Sequence, residues 1–179
     1  DLCVRLRKDF PRNPDGWLVA AEIMRLRGSP KNAVSLLEEG IERIEKLEPP
    51  TLLEHGISTR GVSTNWLKTL AKMKVEAARF ANYQHLPSGH FVVFFDATDE
   101  HAIAAAPTVA NELEAACADL SSRFGVLPAE SLTAILSGRE EYGADAPAWS
   151  AAVFDGRIRL AVGPDPPLEA LRHTLRHEY

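Results

Sequence analysis

The apolar pattern of this chain changes period near its midpoint, and that change limits what the chain can fold into. Up to Phe80, apolar residues recur every three or four positions; from "HFVVFFDA" onward, short apolar runs alternate with helical stretches. A period near 3.6 buries one stripe of a helix, whereas a short Val- and Phe-rich run suits a buried strand. The chain therefore reads as a helical first half joined to an α+β second half. Its 179 residues suffice for one large domain or two small ones, each with a real core.

Start and stop signals divide the helical half. Asn13 before Pro14, and Ser29 before Pro30, are helix starts, where a side-chain oxygen caps free N–H groups and proline forfeits no hydrogen bond. Gly28 closes the first helix, and Pro49 and Pro50 stop the second. Trp17, Ala20, Ala21 and Met24 share one face, as do Val34, Leu37, Ile41, Ile44 and Leu47. With Trp17 as anchor, the pair resembles a tetratricopeptide repeat (TPR): Ala21, Gly28, Ala33 and Leu37 fit that pattern, while Met24 and Leu37 replace its Tyr and Phe. A generic αα-hairpin is the alternative. One repeat cannot bury its own face, so further repeats before Asp1 or the following chain must cover it. The polar stretch "TLLEHGISTRGVST" leads to a helix carrying Trp66, Leu70, Met73, Ala77 and Phe80, expected to bridge the halves and end by "LPSGH".

In the second half, "HFVVFFDA" and "SLTAILSG" read as strands. Between them, Thr98 and Asp99 open a helical region with Val109, Leu113, Ala116, Leu120 and Phe124 on one stripe and Gly125 as its stop. Pro107 predicts a kink, or a helix beginning nearer to it. "WSAAVFDGRIRLAVG" reads as a hairpin turning at Asp155 and Gly156. "PDPPLEALRHTLRHEY" is a last helix, with Leu168, Leu171 and Leu175 at helical spacing.

Charge and cysteine usage narrow the partners. The net charge is −5 and no basic stripe stands out, so a nucleic-acid surface is not expected; "RLRKDFPR" reads as a solvated helix face. Cys3 and Cys117 lie in different helices without metal-ligand spacing, and read as ordinary thiols. No run approaches the length of a membrane-spanning helix. His90 and His101 read as surface or packing residues, and Glu140, Glu141 and Asp145 as a solvated acidic loop.

The chemistry concentrates at the end, in "LRHTLRHEY". Two His at i and i+4 share a helix face and can ligate one zinc, with a Glu after the first as general base. His177 and Glu178 supply the first two members of such an HExxH motif, whose second His would fall two residues past Tyr179. His173 and His177 are also spaced by four, but two imidazoles without a third ligand make a poor site.

From Trp66 onward the chain resembles the peptidase-MA-like (gluzincin) zinc metallopeptidases. The likeness rests on the order of "SGHFVVFFD", "VANELEAACADLSSRFGVLP", "LTAILSGREEYG", "AWSAAVFDGRIRLAVG" and "LRHTLRHEY", which falls where that family runs into HExxH. It implies an α+β fold: a TPR-like hairpin over residues 1–50, a linker and bridging helix over 51–87, and a zincin N-terminal subdomain over 88–179. That subdomain would be a small mixed sheet packed with long helices, truncated within the motif. His177 would ligate zinc and Glu178 would be the catalytic base. Arg157, Ile158, Arg159, Leu160 and Ala161 would form the edge strand on which a peptide or protein substrate lies; the alternative is a plain structural hairpin. Zinc is expected in the parent protein, and no tightly held metal or activity in this fragment. A partner at the helical repeat is expected under either this reading or its rival, a non-catalytic interaction protein on a zincin-like scaffold.

Overall fold

A computed structural model describes residues 2–9, 15–46, 59–145, 152–163 and 174. They form an α+β structure with two compact units, Asp1–Ala81 and Asn82–Tyr179. The predicted helix over residues 164–179 and the stops at Pro49 and Pro50 lie outside the described residues, apart from Thr174, which is helical.

The first unit contains α1 (Leu2–Asp9), α2 (Asp15–Leu26), α3 (Pro30–Glu45) and α4 (Thr59–Arg79). The turn after α2 follows from Gly28, whose φ of 73° few side chains tolerate. Its N–H donates to the Arg25 carbonyl at 3.0 Å and the Ser29 N–H to the Met24 carbonyl at 2.9 Å, the paired bonds of a Schellman cap. α2 and α3 contribute Trp17, Ala21, Ala33, Leu37 and Ile41 to one core, with Met24 and Val34 packed against it, and Trp66, Leu70 and Met73 of α4 complete it; Leu47 lies outside the described residues. The helix expected to bridge the halves thus lies wholly in the first unit, and it begins seven residues ahead of Trp66. Burial of its Trp66 stripe recruits it there.

Gly40 makes that core close. A Cβ at Gly40 would sit 2.8 Å from Trp17 Cβ and 2.9 Å from Trp66 Cζ3, so both tryptophan side chains press on a bare backbone. Arg7 and Arg43 place their guanidinium carbons 5.0 and 4.9 Å from the Trp17 ring, favourable cation–π distances.

The second unit contains β1 (Tyr83–Pro87), β2 (Phe91–Asp96), α5 (Glu100–Phe124), β3 (Leu132–Gly138), α6 (Arg139–Asp145), β4 (Ala152–Phe154) and β5 (Ile158–Val162). The strands form one mixed sheet in the order β1-β2-β3-β5-β4, with β2, β3 and β5 parallel and the outer two antiparallel to their neighbours. Register aligns Val93 with Ala134 and Ile158, and Phe95 with Leu136 and Leu160. Side chains alternate along a strand, so these residues share one face. They join the core formed with Ala102, Ala106, Val109, Ala110, Leu113 and Cys117 of α5. Four of those six helix residues are Ala or Cys, which lets the helix approach the sheet closely.

α5 begins at Glu100, where Thr98 and Asp99 place it and not nearer Pro107, and it is continuous through Pro107. The Asp99 carboxylate accepts from the His101 and Ala102 N–H groups, and Gly125 ends the helix with its N–H on the Ser121 carbonyl. Two elements differ from expectation. Residues 83–87, assigned to a linker, form β1, an outer strand held by its pairing with β2; its alternating sites are too exposed to announce it. Glu140, Glu141 and Asp145 lie on the short helix α6, not in a loop. Among the described residues no helix is long and apolar enough to cross a membrane.

The Gly40 contact generates a prediction. Gly40→Ala should destabilise the protein by about 1–2 kcal/mol, because overpacking outweighs the gain in helix propensity. Urea unfolding followed by tryptophan fluorescence reads the change. A variant more stable than the parent would contradict the close approach.

Candidate functional site

The two residues that carry the motif, His177 and Glu178, lie outside the described residues, as does His173. The predicted substrate strand is described, and it is not an edge. Ile158, Leu160 and Ala161 are buried in β5, which pairs with β3 on one side and with β4 on the other. Arg157 precedes the strand in the turn. The reason is topological. A parallel partner for β3 must arrive after a crossover, and β5, the returning arm of the hairpin, supplies it. β4, the outgoing arm, is left as the rim strand of the described sheet.

The β4–β5 turn is set by Asp155 and Gly156. Gly156 has φ of 90°, and the Asp155 N–H donates to the Arg157 carbonyl at 3.1 Å. The Asp155 carboxylate lies 3.3 Å from Arg159 Nε and 3.9 Å from Arg157 Nε. Arg157 is only 2% exposed, so this carboxylate offsets part of the cost of burying its charge. The turn fixes the hairpin and thereby the position of β4.

At the tip of the β1–β2 hairpin a second cluster forms around Glu114 of α5. Glu114 Oε1 accepts from the Ser88 hydroxyl at 2.6 Å and from the His90 backbone N–H at 2.6 Å; Oε2 lies 2.8 Å from His90 Nδ1. Partial burial pushes the Glu114 carboxyl upward. The Ser88 hydroxyl, the His90 ring and the His90 amide together outweigh it, bringing its pKa down to about 2. At neutral pH the carboxylate is ionised, so His90 Nδ1 carries the proton it shares with Oε2. The Ser88 hydroxyl donates to Glu114 and not to the imidazole, so Ser88 and His90 are not arranged here as a nucleophile and its base. The cluster clasps the hairpin tip to α5.

A third set lies at the other end of β1. The Tyr83 hydroxyl donates to Glu141 Oε2 at 3.2 Å, which leaves the Ser137 hydroxyl, 3.1 Å away, to donate to the phenol oxygen. Burial raises the Tyr83 pKa well above the usual phenol range. The Ser137 bond opposes this, and the Glu141 and Asp96 carboxylates add to it. Sequence reading missed both clusters, because each joins residues far apart in the chain; Ser88 and Glu114 are separated by 26 positions.

Among the described residues no group of three or more His, Cys, Asp or Glu could hold a metal ion. His101 is exposed in the first turn of α5, and Cys117 is buried on the same helix with its Sγ 4.0 Å from the Ser121 hydroxyl. Searches against protein-family models, curated proteins and solved structures returned no match to the chain.

The Glu114 clasp has a pH signature. A carboxyl whose folded pKa lies below its unfolded value stabilises fully above the unfolded range, and its contribution is lost as pH falls from about 4.5 towards about 2. Glu114→Gln should therefore cost about 1–3 kcal/mol at pH 7 and much less near pH 2. Chemical denaturation of both proteins at the two pH values measures this. An equal gap at both would contradict an ionised clasp.

Proposed function

We propose that this chain is the front portion of a zinc-dependent metallopeptidase, a TPR-like helical unit followed by the N-terminal part of the catalytic domain. The observation that carries the reading is the order of elements ahead of "LRHTLRHEY": strand, long helix, strand and Asp-Gly hairpin. The same order carries the resemblance to the gluzincins. In this reading His177 ligates the metal and Glu178 accepts a proton from the attacking water. Zinc, when bound, supplies Lewis-acid activation of that water and of the scissile carbonyl. A peptide substrate would extend the sheet at its described rim, along Ala152–Phe154 of β4, because β5 has both sides paired.

Two outcomes test the reading. The residue two places beyond Tyr179 in the parent protein should be His; any other residue there leaves a zincin-like scaffold without the enzyme. In a protein carried through that His and the helices after it, Glu178→Gln should lower kcat on a quenched peptide substrate by about 10²- to 10⁴-fold. An unchanged kcat would overturn the assignment of the base.

A further inference from the structure

We propose that the solvent face of α4 is a docking surface for an acidic amphipathic helix of a partner protein. The helix has two apolar faces. One carries Trp66, Leu70 and Met73 into the core of the first unit. The other carries Leu67, Ala71, Val75 and Ala78, all exposed, with Leu67 at 51% and Val75 at 54%. At 3.6 residues per turn these four fall within roughly 80° of one another and extend along about 16 Å of the helix. A packed surface helix usually turns polar residues to water, so a second apolar stripe of this length calls for a partner.

Shape and charge specify that partner. Ala71 lies between Leu67 and Val75, leaving a notch that can receive a ridge of side chains from another helix. Lys68 and Lys72 run beside the stripe, one turn apart and exposed. The other charges nearby are engaged within the unit: Lys74 pairs with Glu38 at 2.8 Å and Glu76 with Arg25 at 3.3 Å. Neither Lys68 nor Lys72 has an ion pair among the described residues. A row of two uncommitted ammonium groups beside an apolar notch complements a helix with Leu-type anchors flanked by Asp or Glu. A second copy of this chain laid on the same face would bring lysines against lysines. The stripe also lacks the Trp and Phe with which helices seat in a lipid interface. The surface belongs to the first unit, and the inference does not rest on the chemistry proposed above.

Selection from a displayed library of helical peptides, with a fixed apolar stripe and randomised flanks, tests the proposal on the full chain. Acidic flanks should be enriched, and the selected peptides should bind more weakly as salt rises. Leu67→Ser with Val75→Ser should weaken binding at least tenfold, on the order of 1.4 kcal/mol or more. Thermal melting should be nearly unchanged, since both residues are exposed. Lys68→Glu with Lys72→Glu should reverse the preference towards basic flanks. Selection of peptides without acidic enrichment, or equal binding to the parent and both double variants, would overturn the proposal. So would self-association abolished by Leu67→Ser with Val75→Ser, or binding to phosphatidylserine vesicles abolished by Lys68→Glu with Lys72→Glu; these assign the face to a second copy or to a membrane.

Discussion

The parallel pairing of β3 with both β2 and β5 is the constraint on which the second unit depends. Parallel neighbours cannot be joined by a tight turn, so each needs a crossover. α5 provides the first, and its length of 25 residues gives it a face long enough to cover the sheet. The stretch holding α6 and β4 provides the second. Once β5 has joined β3, β4 has nowhere to pair except outside it, and it becomes the rim. The same arrangement makes Ala134 and Leu136 of β3 wholly buried, and it sets Glu114 of α5 against the turn between β1 and β2.

How much of this was legible in the sequence depends on the range of the signal. Local chemistry was readable. Ser29-Pro30, Gly28, Asp99, Gly125 and Asp155-Gly156 mark element boundaries through bonds made within a few residues, and each boundary falls close to where those residues place it. Strand order was not. The hairpin "AAVFDGRIRLAV" looks the same whichever arm joins the sheet, and only burial against β3 decides that the second arm goes inward. β1 was invisible because an outer strand is held by main-chain bonds, which leave little trace in side-chain pattern. The Trp66 stripe showed that α4 must be buried, but not on which unit.

The candidate chemistry shows the same division. His177 and Glu178 stand out by spacing and by the order of what precedes them, whereas the Ser88–His90–Glu114 clasp is assembled by the fold and has no motif. In the first unit the conspicuous Trp17 and Trp66 are buried packing residues, both pressed against Gly40. The surface that asks for a partner lies on the opposite side of α4, among Leu67, Ala71 and Val75. A helix with two apolar faces cannot be told from a fully buried one by periodicity alone; the exposure of one face separates them.

The proposed role of His177 as a metal ligand is checked by metal content. The intact protein, carried through the residues after Tyr179 and purified with and without His177→Ala, should be assayed for zinc by elemental analysis. A metal site at His177 requires about one zinc per chain in the parent protein and a loss of most of it in the variant. No zinc in the parent protein, or the same zinc content in both, would contradict it.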